Sequence, residues 1–503
     1  MNIHVHPPLY PSRIIPQPRR LLPSRPLIPN LRMGHFLSLS APSSAEVPRK
    51  TEADTSSETV GNPLSKGSAE GLPLLEKAKG YYWYPRNGER ILDACGGAGV
   101  ACIGHARKDV AQAAVAQMKA FSYVSYAHFK TKPVQEVSDW LINSTGGEMQ
   151  KVYLMCSGSE AVEAALKLSR EYFIWKDEPQ RVNFIGREES YHGTTIGSLS
   201  ASGHVVRRGP FEPILVPQFH KISSCNPYRQ RRPEEDDEAF ATRKAAELEE
   251  QFQRLGPDTV AAVIMEPVVG AALGCVPAVP GYLRAMKVVC EKYGALLIFD
   301  EVMCGMGRTG VLHAWQHEMV VPDLQTIGKG FAGGYMPASA LLVGAKVAEL
   351  MKREDRTFTH GHTYQNHPVV SATALKVQKI IQEDNLVSNV ETAGHTLEQL
   401  LHKLLGNHPN VGDIRGRGLF WGIEFVQDKT TKEPFDPALQ VAHQVFRTAM
   451  RDFRVLVYHG QGCAGGGRGD HIMIMPAYNM PETSILDIVE RVACAVEKTF
   501  GGS

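Results

Sequence analysis

The amino-acid sequence predicts an α/β protein, with a large domain built on a mostly parallel sheet covered by helices and a smaller α+β domain beside it. Three observations lead there. Short, wholly apolar runs alternate with amphipathic stretches of helical period, so the strands have no polar face and must be covered on both sides. Past Pro368 the alternation gives way to long helices, which marks a second unit. The chemically unusual polar residues follow directly on the apolar runs, at the carboxyl ends of strands, where parallel sheets bind ligands.

In chain order, the first 45 residues carry Arg13, Arg19, Arg20, Arg25 and Arg32 and no acidic residue before Glu46. That bias is similar to a mitochondrial transit peptide, whereas Pro7, Pro8, Pro11, Pro16 and Pro18 oppose an amphipathic helix and equally suit a disordered tail. Both readings stay open, localisation stays unassigned, and residues 1–70 are set apart from the fold. Residues 71–125 are assigned to the N-terminal part of the small domain, 126–365 to the large domain, and 366–503 to the C-terminal part of the small domain. Within the large domain, strands are expected at 151–156, 182–185, 260–265, 295–299 and 340–343. Helices are expected over 160–172, 239–255 and 282–293. The second unit should hold helices over 369–383 and 386–405, two short strands within 413–425, and a last helix over 482–500.

Bulk properties exclude several classes of function. The chain has 503 residues, 43% hydrophobic and 21% charged, with a formal net charge of +1, so no overall field draws nucleic acid or an anionic membrane. The basic run 229–232 beside the acidic run 234–238 reads as a solvated surface loop. The longest apolar stretch, 260–276, is interrupted by Glu266 and Pro267, which suits a buried strand and loop better than a membrane span. Nine cysteines are scattered without a CxxC pair or a histidine cluster, so neither a disulfide framework nor a metal site is expected.

The candidate site residues are individually modest. Asp300 ends an apolar run, where a carboxylate can hold a cationic partner or simply cap a turn. Lys329 sits between Gly328 and Gly330, either a surface-loop lysine or an amine that a bulky planar group can approach. Ser157, Gly158 and Ser159 lie between a strand and a helix, which serves N-capping and phosphate binding alike. Tyr191, beside His192 and Gly193, could stack on a flat ring or merely pack, and Glu266 closes another strand. The run Gly96-Gly-Ala-Gly99 hints at a dinucleotide site, but the third glycine that fingerprint needs is Cys102 here, so the motif fails.

Taken in order, these segments resemble the class III, fold type I pyridoxal-phosphate aminotransferases, from about Gly80 to the C-terminus. The most specific stretch is Phe299-Asp-Glu-Val-Met-Cys-Gly-Met-Gly-Arg-Thr-Gly310, followed by Gly328-Lys-Gly330. Cys156-Ser-Gly-Ser-Glu-Ala161, Thr359-His-Gly-His-Thr-Tyr-Gln-Asn-His-Pro368 and Asp413-Ile-Arg-Gly-Arg-Gly-Leu419 fit the same template. The resemblance implies pyridoxal 5'-phosphate as cofactor, a Schiff base on Lys329, and Asp300 against the pyridine nitrogen. It further implies Gly158 and Ser159 at the phosphate, Tyr191 on the ring, Glu266 beside the cofactor, and Arg415 on a substrate carboxylate, with Arg417 the neighbouring alternative for that role. Thr363 would reach the phosphate from the second subunit of a homodimer with shared active sites. Small-molecule amines and keto acids would be the substrates.

Two departures bear on which ones. Where glutamate-using members commonly carry a second arginine this chain has Thr194, and where they carry a gating glutamate it has Ala271. The resemblance therefore points to an amino acid or ω-amine donor and a pyruvate-type acceptor rather than 2-oxoglutarate. A decarboxylating transaminase or an amine isomerase on the same fold is the alternative. A non-catalytic scaffold would be expected to have lost Lys329 or Asp300, and both are present.

Overall fold

Seven strands lie side by side in the order Met149–Met155, Ser339–Gly344, Leu324–Ile327, Leu296–Asp300, Val260–Met265, Asn183–Arg187 and Phe219–Ile222 in this computed structural model, which describes residues 73–501. The arginine-rich N-terminal segment and its two readings lie outside the described residues. Strand Ser339–Gly344 runs antiparallel to both neighbours, and the pairs from Leu324–Ile327 through to Phe219–Ile222 are parallel. The sheet is thus the mostly parallel, mixed one that the apolar runs predict.

Burial follows the two-residue period of a strand. Ala262, Ile264, Leu296 and Ile298 project to one face and pack with Leu168 and Phe173. Val263, Met265, Leu297 and Phe299 project to the other and pack with Phe252, Met286 and Trp315. Because both faces are covered, every residue of Val260–Met265 and of Leu296–Asp300 is buried.

The helix Gly158–Trp175 shows why the local sequence folds as it does. Ser157 accepts the backbone N–H of Glu160 while the Glu160 carboxylate takes the backbone N–H of Ser157, a reciprocal cap that fixes where the helix starts. Its buried face carries Ala161, Ala164, Ala165 and Leu168, small enough to bring the helix close to the sheet. The cap therefore sets the helix N-terminus directly at the end of strand Met149–Met155.

Two strands of this seven-stranded sheet were not expected from the sequence. Leu324–Ile327 has polar residues at two of its four positions, so it lacks the apolar signature, yet all four are buried. Gln325 is satisfied by the Trp315 indole N–H at 3.2 Å and by His313 Nδ1 at 2.9 Å, and Thr326 donates to Asp300. Phe219–Ile222 is an edge strand with His220 and Lys221 in its middle.

Both chain ends contribute to the remaining sheets. The hairpin of Leu75–Lys79 and Tyr82–Pro85 continues through Ile91–Asp93, which pairs in parallel with Val455–Leu456. A separate antiparallel sheet holds Val411–Gly416, Trp421–Phe425, Asp470–Ile474 and Tyr458–Gln461 in that order. Helices Pro368–Glu383, Leu386–Leu405, Val441–Phe453 and Glu482–Gly501 pack on these strands through one shared core that includes Leu397, Ile423, Val445 and Ile488.

Candidate active site

A cavity of about 300 Å³ opens where the parallel strands end, lined by Ser157, Gly158, Ser159, Tyr191, Glu266, Asp300 and Lys329 among others. Each of these residues stands at or just after the carboxyl end of a strand, the place that an α/β sheet reserves for ligands.

Lys329 follows strand Leu324–Ile327 by two residues and takes a left-handed backbone, φ 45°. For a lysine that conformation costs about 1–3 kcal/mol and is tolerated where the surroundings impose it. Here they do: a Cβ on Gly328 would meet Val302 Cγ1 at 3.2 Å, and one on Gly330 would meet the Tyr478 hydroxyl at 3.1 Å. Burial lowers the Lys329 pKa; the negative charges of Asp300 and Glu266 oppose that shift. The amine is therefore less firmly protonated than a surface lysine, which suits a nucleophile.

Asp300 is held on three sides. One carboxylate oxygen faces His192 Nδ1 at 2.7 Å, and the other accepts the Thr326 hydroxyl at 3.0 Å and the Val302 backbone N–H at 3.1 Å. His192 is buried, which lowers its pKa against the pull of Asp300, so the ring is neutral and donates its Nδ1 proton to the aspartate. Its Nε2 is buried without a partner. Glu266 is also buried, and desolvation together with the Asp300 charge pushes it up to about 8. At neutral pH it is an acid with one carboxyl oxygen unpartnered. Beneath it the fully buried Arg187 donates to the Glu266 carbonyl at 2.7 Å, a positive charge that offsets the two acids.

The other end of the cavity is built from small residues. A Cβ on Gly158 would come within 2.7 Å of Val302 Cγ1, and one on Gly193 within 2.5 Å of both the Ser159 and Ser198 hydroxyl oxygens. Ser159 Oγ accepts the Thr194 backbone N–H at 3.0 Å, tying the Tyr191–Gly193 turn to the helix N-terminus. That terminus, with its positive dipole end and backbone donors, is a place for an anion. Cys156, Glu160 and His362 bring potential metal-ligating atoms within 4.8 Å of one another. The Glu160 carboxylate is already engaged by the Cys156 and Ser157 backbone N–H groups, so helix capping accounts for it.

Two residues singled out from the sequence do not join this cavity. Thr363 sits in an exposed turn, its carbonyl accepting the Tyr123 hydroxyl at 2.9 Å, so within one chain it does not reach the site. Arg415, expected on a substrate carboxylate, is not among the residues that line the cavity, and every one of its nitrogens is engaged. Its Nε donates to the Gly274 carbonyl at 3.1 Å, Nη2 to the Leu273 carbonyl, and Nη1 lies 2.9 Å from Asp413 and 2.5 Å from Glu424. Glu424 is fully buried on the neighbouring strand and also binds Arg229, which the sequence suggested was part of a solvated loop. A buried carboxylate without solvent must keep its cations, and this one holds Arg415 out of the site.

Sequence reasoning missed three contributors: His192, Thr326 and Arg187. His192 was visible in the Tyr-His-Gly run without a role, and Thr326 precedes Lys329 by three residues on a strand that was not recognised. Arg187 carried no local signal, since only the fold puts it under Glu266.

Residues 65–496 match the model of the class III aminotransferase family. An aminotransferase of Gibberella zeae is 49% identical over 418 residues, 82% of each chain. The solved (S)-enantioselective omega-transaminase of Thermomicrobium roseum superimposes with a TM-score of 0.80 at 34% identity, covering 86% of this chain and 93% of its own. The omega-transaminase of Pseudomonas jessenii, solved in complex with PMP, gives 0.80 at 31% identity over 85% and 93%.

The residues present fit pyridoxal phosphate. A buried carboxylate at Asp300 suits a protonated ring nitrogen, an amine at Lys329 suits the aldehyde, and the helix N-terminus at Gly158 suits the phosphate. The close approaches at Gly158 and Gly193 leave the cradle no room for larger side chains.

Proposed function

The chain belongs to the class III, fold type I aminotransferases, which use pyridoxal phosphate, and from that premise we propose that it moves an amino group from an amino acid or ω-amine to a keto acid, with Lys329 as the cofactor-bearing residue and a pyruvate-type acceptor favoured over 2-oxoglutarate. The observation that carries the assignment is the meeting of Lys329 and the His192-supported Asp300 in one cavity.

Bound pyridoxal phosphate supplies an electron sink that stabilises negative charge at the substrate α-carbon. The protein supplies the rest. Lys329 Nζ would hold the cofactor and, as a free amine, would accept and return the proton at the substrate α-carbon. Asp300 would face the ring nitrogen, and His192 and Thr326 hold the Asp300 carboxylate in place by hydrogen bonds. Gly158 and Ser159 would bind the phosphate, Tyr191 would stack on the ring, and Glu266 would border the cofactor, all of them lining the one cavity.

The acceptor preference rests on what is missing. Neither Thr194 nor Ala271 provides the second cation or its carboxylate gate, so a distal carboxylate has no built partner there. We also propose a homodimer. Thr363 is exposed within a patch that includes Tyr123, Tyr126, Phe129 and Tyr364, all exposed aromatic side chains, as expected of a surface that a second copy covers.

The test is an absorbance spectrum of purified protein and of the Lys329→Ala variant, followed by amine titration. The reading requires a near-visible band that depends on Lys329 and is bleached by amines, alanine ahead of glutamate. A wild-type protein that takes up no pyridoxal phosphate would sink it.

A further inference from the structure

We propose that Arg207 is the cation that recognises the substrate carboxylate, the role Arg415 cannot fill in this structure. The inference deepens the function proposed above and rests on that reading.

Arg207 lies in the short helix Val205–Arg208, far in sequence from the family motifs. Its guanidinium carbon sits 4.4 Å from the centroid of the Tyr191 ring, and Tyr191 lines the cavity. Its one other side-chain partner is weak, a 3.4 Å contact from Nη2 to the Tyr458 hydroxyl. Among the described residues no carboxylate pairs with it. The acid nearest in sequence, Glu212, pairs with Arg208 instead, and Glu189 accepts the Ser224 hydroxyl at 2.7 Å. The adjacent Arg208 has the opposite fate: it is paired with Glu212 and donates to the Ser200 and Ser202 carbonyls.

This contrast has a direct chemical reading. A guanidinium set against an aromatic ring, with tyrosine hydroxyls as its side-chain partners and no carboxylate, keeps edge N–H groups available to grip a carboxylate in a two-pronged fashion. The positive charge also reaches the reaction centre, since it adds to the forces that disfavour protonation of Lys329. Burial pushes the Glu266 pKa up to about 8, which weakens that acid as a competing anion. A ligand carboxylate is thus the missing partner. A single such cation accommodates one carboxylate, which matches an alanine-like donor and a pyruvate-like acceptor and gives no purchase to a second carboxylate.

The experiment uses cofactor-loaded protein with Arg207→Gln and Arg207→Lys. The readout is the ratio of kcat/KM for alanine to kcat/KM for benzylamine, an amine without a carboxylate, together with KM for pyruvate. Removing one charge-assisted pair should lower that ratio, and raise the pyruvate KM, by roughly 10- to 100-fold in the glutamine variant, and by less in the lysine variant, which keeps the charge but loses the planar fork. A ratio within about twofold of wild type, or equal losses on both amines, would mean that Arg207 merely supports Tyr191 and overturns the proposal. Binding of propionate, an unreactive carboxylate, is followed separately by thermal shift. Stabilisation of wild type that disappears in Arg207→Gln supports the assignment even if no turnover is found, while stabilisation that persists in the variant refutes it. Failure of the wild type to bind pyridoxal phosphate shows up independently, in the spectrum.

Discussion

At the floor of the cavity, Asp300 is fastened by His192, Thr326 and the Val302 backbone, with Glu266 and Arg187 completing a buried polar cluster. At its rim, Arg207 rests on the ring of Tyr191 with one long hydrogen bond to Tyr458. The floor is dry, so each polar group there needs a partner, and removing one leaves another stranded. The rim is half-buried and rests on ring faces, which ask little of their neighbours. Chemistry is therefore locked in place at the floor, while substrate choice sits where substitutions are cheap. Arg415 resembles the floor in this respect: it is buried, and its nitrogens are engaged by Asp413, Glu424 and two backbone carbonyls.

The sharpest way to break this comparison is at Lys329. Lys329→Ala should abolish the amine-dependent spectral change and lower transamination by about 10⁴-fold or more. Residual activity near wild type would mean that the floor is not the reaction centre. Next in size is the buried pair behind the site. Glu424→Ala removes the fully buried anion that Arg415 and Arg229 share, leaving Arg415 only Asp413, and should destabilise the protein by about 3–5 kcal/mol in urea unfolding. Arg207→Gln, on the rim, should change stability by no more than about 0.5 kcal/mol. If the two cost the same, the distinction between structural and ligand-facing arginines fails.

A smaller loss is expected for Asp300→Asn, about 10²-fold in kcat, with His192→Ala following in the same direction. The informative feature is the split: both should act on kcat, whereas Arg207 variants should act on KM for carboxylate substrates.

The smallest effect is a pH dependence of stability in the cofactor-free protein. Glu266 is pushed from 4.5 up to about 8 by burial and by Asp300. The folded state therefore holds its proton more tightly than the unfolded chain, so this group's contribution is full below about 4.5 and is lost as pH rises toward about 8. Buried Glu301, pushed to about 8 by desolvation, acts in the same direction. Glu266→Gln should make the fall in melting temperature between pH 5 and 8 shallower without removing it. A curve as steep as wild type would show that Glu266 is ionised in the folded protein.

Much of this molecule is written locally. The runs 260–265 and 295–299 are apolar at every position because both faces of the sheet are covered, and that signature survives without a structure. Ser157 and Glu160 stand three residues apart, which is enough to place a helix start. Strand Leu324–Ile327 was illegible for the converse reason: its buried Gln325 and Thr326 are stabilised by partners elsewhere in the chain, and a polar residue looks exposed until that partner is known.

The same division holds for the site. The sequence by itself determined the backbone period, the caps and the chemical character of Lys329, Asp300, Ser159 and Tyr191, because those depend on neighbours within a few residues. Only the tertiary structure decided which arginine is free. Arg415 is captured by Glu424 on the adjoining strand, and Arg207 is laid on Tyr191, sixteen positions away across a turn. It likewise decided that His192, 108 residues before Asp300, is the group that holds it. Partner choice among charged side chains is settled by burial and distance in the folded chain, and neither is a property of a residue type or its spacing.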